Sequence, residues 1–413
     1  MSRLNTAIIT GAMLFTGFTA LAQPVTVTYS YNGLPLPILP DSADTITIAQ
    51  ITVLRALTIS KVTVQLQIQY PNTGDIYVYL FSPQGTRTIL TAHDCNVANI
   101  DTTFDDSASS SWKSFCPAEA GRGPFQADQP LSNFNSDASS YGVWRLAVEN
   151  NSSDSRSGWI NQFSLTITGN PQLAPTVSAG TIVNTASLAS PGTIAPGELI
   201  TLVGVGVGPS TPVTAPSGAL PTTLGGTTVT INGTPVPIAY TSALITNVQV
   251  PTTVSAGSTA NLQVVVNGLG GPVVPLSVVG AVPGIYTNTA SIGGAGAIKA
   301  INQDGSLNSK LKPAAKGSFV SVYVNGLGAV SPAVSAGAVS PNSPLSTVTG
   351  GVGAFVGGVP AMVAFSGLAP GLVGVYQVNV QIPMTAPSGT QVLQVFSNST
   401  SAGSQAGATI EVQ

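Results

Sequence analysis

The stretch KVTVQLQIQYPNTGDIYVYLFSPQGT, residues 61–86, decides the fold. Its first ten residues place Val62, Val64, Leu66, Ile68 and Tyr70 on one side and Lys61, Thr63, Gln65, Gln67 and Gln69 on the other. That period of two belongs to a strand with one face in a core and the other in water. PNTGD then turns the chain with Pro, Asn and Gly. In IYVYLF (76–81) both alternating sets are apolar or aromatic, which predicts a strand covered on both faces. SPQG (82–85) closes it, with Pro83 and Gly85 where a tight turn favours them.

Outward from this stretch, length and charge set the frame. The 413 residues suffice for two to four domains, each with its own core. Residues 1–22 carry Arg3, an apolar run and the small-residue site Ala20-Leu21-Ala22, which reads as a cleaved signal peptide and predicts an exported chain beginning at Gln23. Gln rather than Cys after that site argues against a lipoprotein anchor. Residues 23–170 hold 12 acidic and 7 basic groups, whereas 171–413 hold only Glu198, Asp304 and Glu411 against Lys299, Lys310, Lys312 and Lys316. From Gly317 to Ile410 there is no Asp, Glu, Lys, Arg, His or Cys, so this segment offers no ordinary acid/base or metal chemistry. No basic patch interleaved with aromatics points to nucleic acid. The uncharged run 350–376 carries eight Gly and two Pro in 27 residues, which breaks it into strand-sized pieces and disfavours a membrane span. Cys95 and Cys116, an even pair in an exported chain, predict a disulfide.

A composition shift over GNPQLAPTVSAG (169–180) marks a linker. Beyond it three blocks recur in the same order. GELITLVGVGVGP (197–209) matches GSFVSVYVNGLGA (317–329), NGTPVPIAY (232–240) matches GGVPAMVAF (357–365), and NVQVP (247–251) matches NVQIP (379–383). The repeat exceeds the period of solenoids and propeller blades. Two similar β-sandwiches in tandem follow.

Four blocks resemble the P domain of proprotein convertases, also called Homo B, a jelly-roll module that follows a subtilisin-like catalytic domain: residues 58–90, TTFDDSA (102–108), PLSNFN (130–135) and residues 142–167. The resemblance spans about residues 46–168 and implies a β jelly roll. Only some twenty residues separate the signal site from it, too few for a subtilisin-like domain, so the catalytic domain that accompanies the family is expected to be absent. Residues 180–413 resemble an uncharacterised acidobacterial-type C-terminal module of exported proteins, through VNTASLASPGTIAPGELITLVGVGVGP, NQDGSLNS and SGLAPGLVGVYQVNVQIP.

Candidate sites are few. His93 is the only histidine, beside Asp94 and Cys95. Neighbours on a strand point to opposite faces, so Asp94 is badly placed to orient it, and a rim histidine is favoured over a catalytic base. No nucleophile-elbow motif is present. Asp101, Asp105 and Asp106, with Asp75 on a turn, offer carboxylates for calcium, and the competing reading is turn capping. Trp144 alternates with core residues, while Trp112 in the polar SSSWKS is the better surface aromatic, and Trp159 is the third tryptophan. GGAG (293–296) lacks a following Lys-Ser/Thr and is a turn. Lys310, Lys312 and Lys316 lie near serines in a segment that reads as the link between sandwiches.

The expected architecture is all-β: signal peptide 1–22, N-terminal segment 23–45, P-domain-like jelly roll 46–169, linker 170–185, and Ig-like sandwiches at 186–290 and 291–413. The expected function is a secreted, non-catalytic binding or scaffolding protein acting on an extracellular protein or surface polymer. The alternatives are a component of a serine-type endopeptidase system, acting with a separate protease, and a carbohydrate-binding or adhesive surface protein. Apart from calcium, no cofactor is implied.

Overall fold

The computed structural model describes residues 23–40, 46–93, 95–116, 123–152, 156–189, 192–288, 294–398, 400 and 402–413. The signal-peptide segment and Asp94 lie outside the described residues. Nearly all regular structure is β, in mainly antiparallel sheets, and residues 23–173 form one compact unit while 174–266 and 270–413 form another.

In the N-terminal unit the strands are β1 (Val25–Ser30), β2 (Leu36–Ile38), β3 (Ile46–Val53), β4 (Leu57–Gln69), β5 (Ile76–Phe81), β6 (Arg87–Ala92), β7 (Ile100–Phe104), β8 (Gly142–Asn150) and β9 (Gly158–Pro171), with a short helix α1 (Trp112–Phe115). One sheet runs β1-β9-β4-β7, with β2 added to β9, and the other runs β3-β8-β5-β6. Alternation places Val62, Val64, Leu66 and Ile68 of β4 in the core against Ile76, Val78 and Leu80 of β5 and Trp144, Leu146 and Val148 of β8. Tyr70 is buried too, and its hydroxyl is satisfied by donating to Asn150 Oδ1 at 2.7 Å. At the 82–86 turn Gly85 takes φ +90°, which a side chain would resist, and Ser82 N donates to Thr86 O at 2.9 Å.

Three boundaries differ from the sequence expectation. Residues 23–40 of the expected N-terminal segment 23–45 are not separate from the sandwich, because VTVTYS alternates with period two and pairs as β1 along β9 from Val25↔Gly169 to Ser30↔Ser164. The 170–185 linker is shorter, since β9 continues to Pro171 and the strand Ile182–Asn184 pairs with Leu199–Val203. Gly284–Ile285, expected in the first sandwich, pairs with Asn325 and Val324 of the second.

The C-terminal unit holds two sandwiches with one strand order. In the first, Ile182–Asn184, Leu199–Val203, Ile245–Gln249, Ile238–Thr241 and Val213–Thr214 form one sheet. Its counterpart places Phe319–Asn325, Tyr376–Gln381 and Val363–Leu368 in the same succession. The second sheets also agree: Thr193–Ile194 runs parallel to Val274–Val278 in one, and Gly296–Ala297 runs parallel to Ala408–Val412 in the other. Even the bulge recurs, at Ile238/Tyr240 and at Val363/Phe365. The three matched sequence blocks therefore occupy equivalent strands.

These sandwiches are locked by backbone-directed amides. Asn325 donates from Nδ2 to Leu199 O at 2.6 Å and accepts Leu199 N at 2.9 Å, as a paired strand residue would. Gln249 does likewise, donating to Gly197 O (3.1 Å) and accepting Gly337 N (2.6 Å). Leu199, Tyr286, Ala369 and Val375 form a small apolar cluster beside them. The uncharged run 350–376 is broken into strands Val352–Val356, Val359–Ala361 and Val363–Leu368, and no described helix is long and apolar enough to cross a membrane.

Candidate functional site

The outward face of β3-β8-β5-β6 carries aromatic and charged side chains in mutual contact. Because β5 alternates, Ile76, Val78 and Leu80 go to the core and Tyr77, Tyr79 and Phe81 form a row on the other side. That face is half-buried rather than covered, which corrects the expectation from IYVYLF. The rings shield one another instead: Tyr77 and Tyr79 lie nearly parallel with centroids 5.7 Å apart, and Phe81 is 6.2 Å from Tyr79. The Arg87 guanidinium sits 5.4 Å from the Tyr79 ring centre in cation–π contact. Arg145 pairs opposite Phe81 and Glu149 opposite Tyr77, so both signs of charge flank the row.

A hydrogen-bond chain runs along its upper end. Tyr79 donates its hydroxyl to Glu149 Oε2 at 3.2 Å, and Asn151 Nδ2 donates to Glu149 Oε1 and to His93 Nε2, each at 3.3 Å. His93 Nδ1 bonds the Gly74 carbonyl, and the ring meets Tyr77 edge-on at 4.0 Å. Burial, reinforced by the Glu149 charge, raises the Tyr79 phenol above its ordinary value. Both nitrogens of His93 are thus committed, and among the described residues neither is bonded to a serine hydroxyl.

The four aspartates occupy separate structural posts. Asp75 pairs with Arg156 at 2.8 Å. Asp105 binds Lys61 at 2.9 Å and caps Ser107. Burial opposes its ionised form, but the Lys61 and Ser107 bonds outweigh it and lower the pKa. Asp106 accepts Leu131 N and Ser132 N, both at 2.8 Å, holding the turn Leu131–Ser136. Asp101 lies on β7 opposite Gln67. Among the described residues no group of three His, Cys, Asp or Glu is placed to hold a metal ion.

Cys95 and Cys116 are bonded, with Cα atoms 5.3 Å apart. Trp112 is not a surface aromatic: it is fully buried, edge-on to Phe104 (6.1 Å) and Phe125 (5.6 Å). Trp144 is buried as its alternation requires and donates Nε1 to Ser140 O at 2.9 Å, while Trp159 is the exposed one at 46%. Lys310, Lys312 and Lys316 lie on a loop inside the second sandwich, between Ala300–Asn302 and Phe319–Asn325, not between sandwiches.

One residue that the sequence reading passed over stands out in the C-terminal unit. Glu198 is buried, accepting Asn184 Nδ2 and Ala195 N at 2.8 Å each. Burial raises its pKa to about 8 against the pull of those two donors. Its only sequence signal is isolation, as the one acid between residues 171 and 303.

The N-terminal unit is thus a disulfide-closed β-sandwich bearing an aromatic outer face. Within it, residues 59–167 match the family model of the proprotein convertase P-domain. No curated protein matches the chain significantly. Among solved structures, the serine protease of Aeromonas sobria in complex with its chaperone is 19% identical, with a TM-score of 0.24, over 37% of this chain and 28% of that one. The chain therefore spans little more than a quarter of that protease's length, 28%. The glycan-utilisation protein SGBP-B of Bacteroides ovatus, solved with a mixed-linkage heptasaccharide, is 10% identical, with a TM-score of 0.25, over 96% of this chain and 71% of that one.

Proposed function

We propose that the chain is an exported, non-catalytic binding or scaffolding protein whose P-domain-like unit contacts another exported protein through the outer face of β3-β8-β5-β6. The observation that carries this reading is the row Tyr77, Tyr79 and Phe81, flanked by Arg87, Arg145 and Glu149. Tyrosine and arginine are the side chains over-represented at binding hot spots, where rigid rings exclude water around charge-assisted contacts. The commitment of His93 to Gly74 and Asn151 supports a binding role over peptide hydrolysis.

A separate subtilisin-like protease is the partner favoured by the P-domain match. The test is surface plasmon resonance of the mature chain against the exported subtilisin-like proteases of its own organism, alongside peptide-library turnover. Binding without turnover is expected, and Tyr79→Ala with Arg87→Ala should weaken it at least about tenfold at unchanged circular dichroism. Equal binding by the double variant, or turnover abolished by His93→Ala, would overturn the proposal.

A further inference from the structure

A second feature of the N-terminal unit lies at the β3 edge, two strands away from the aromatic row of β5. Where the edge strands β1 and β3 of the two sheets approach, a pocket of about 410 Å³ opens, lined by Tyr29, Ser30, Tyr31, Asn32, Gln50 and Thr52, with Gly33 and Ile51. Its volume falls in the lower part of the range of small-molecule sites, roughly 300–1,000 Å³.

Two properties of the lining define its ligand. The first is neutrality: none of these residues carries a charge, so a phosphate, carboxylate or ammonium group would be desolvated without a counter-ion. The second is a surplus of polar groups. Among the described residues the Tyr31 hydroxyl and the side chains of Asn32, Gln50 and Thr52 have no hydrogen-bond partner. The Tyr29 oxygen accepts Arg55 N at 3.2 Å, which leaves its proton to donate outward.

Both tyrosine rings are packed on the core, and Tyr31 N is tied to Phe163 O at 2.9 Å, so the rings are held in place before any ligand arrives. Gly33 packs closely against the end of the second ring, where a Cβ would come 2.5 Å from the Tyr31 hydroxyl. Fixed aromatic faces offer C–H stacking, and planar amides with hydroxyls offer paired donors and acceptors. A compound that is uncharged, apolar on its ring faces and dense in hydroxyls at its edge satisfies both.

We propose that this pocket binds a neutral saccharide, with Tyr29 and Tyr31 against the sugar ring and Asn32, Gln50 and Thr52 bonding its hydroxyls. The test is isothermal titration of the mature chain with cellohexaose, laminarihexaose, xylohexaose and maltohexaose, and with an oligogalacturonate as the charged control. At least one neutral hexasaccharide should bind. Gln50→Ala, at an exposed position, should weaken binding about tenfold at unchanged melting temperature, and Tyr31→Ala should weaken it about tenfold while also lowering the melting temperature, because it removes a ring packed on the core. Tyr79→Ala should leave it unchanged, which separates this site from the proposed protein contact. Absence of binding to all four neutral sugars, equal binding by both pocket variants, or equal affinity for the oligogalacturonate would overturn the proposal.

Discussion

Trp112 lies four residues before Cys116, and the bond to Cys95 draws its segment onto the core. Its ring, fully buried against Phe104 and Phe125, is therefore structural. Trp112→Ala is expected to destabilise the N-terminal unit by about 3–5 kcal/mol through the cavity it leaves. Urea unfolding followed by tryptophan fluorescence checks this, because Trp144 and Trp159, the other two of the chain's three tryptophans, report the same unit. An unchanged midpoint would return Trp112 to the surface. The local string SSSWKS misleads because its polar residues serve a cap: Ser111 Oγ accepts Ser114 N at 3.2 Å at the start of α1. Alternation, where it existed, was readable, as in Trp144. A buried side chain on a short helix held by a distant crosslink leaves no periodic trace.

At the scale of elements, period two is legible wherever the two faces of a strand differ. VTVTYS shows it, with Val25, Val27 and Tyr29 turned toward the core, although its position before the resembling region led to its being set apart. IYVYLF hides it, because tyrosine suits a core and an aromatic surface row equally. The 95–116 crosslink joins the end of the β6 connection to the segment that follows β7, closing a separation of 21 residues. A closed loop of that length removes entropy from the unfolded chain worth about 3 kcal/mol. Reduction should therefore lower the stability of the N-terminal unit by about that amount, read as a tryptophan-fluorescence transition with and without dithiothreitol. The C-terminal unit contains neither cysteine, so its far-ultraviolet transition should not move. A shift of both transitions, or of neither, would contradict this.

At the scale of the whole molecule the repeat was readable because three ordered blocks map onto equivalent strands, but the contacts joining the sandwiches were not. They rest on the single amides Asn184, Gln249 and Asn325, the first of which also donates to Glu198. Glu198 makes those contacts pH-sensitive. Burial raises its pKa to about 8, well above its ordinary value of 4.5, despite bonds from Ala195 N and Asn184. A carboxyl raised on folding takes up protons, so its contribution is fully favourable below about pH 4.5 and is lost progressively as the pH climbs through about 8. The neighbouring Tyr286 and Tyr376, pushed up by burial and by the Glu198 charge, act in the same direction only above their ordinary value of 10 and so add nothing to this window. The C-terminal unit should therefore lose on the order of a few kcal/mol between pH 5 and pH 9. Glu198→Gln keeps an acceptor for one donor and cannot ionise, so it should flatten that slope even if it lowers stability throughout. Denaturant unfolding by far-ultraviolet circular dichroism across this pH range is the measurement, and an identical slope in the variant would locate the pH dependence elsewhere.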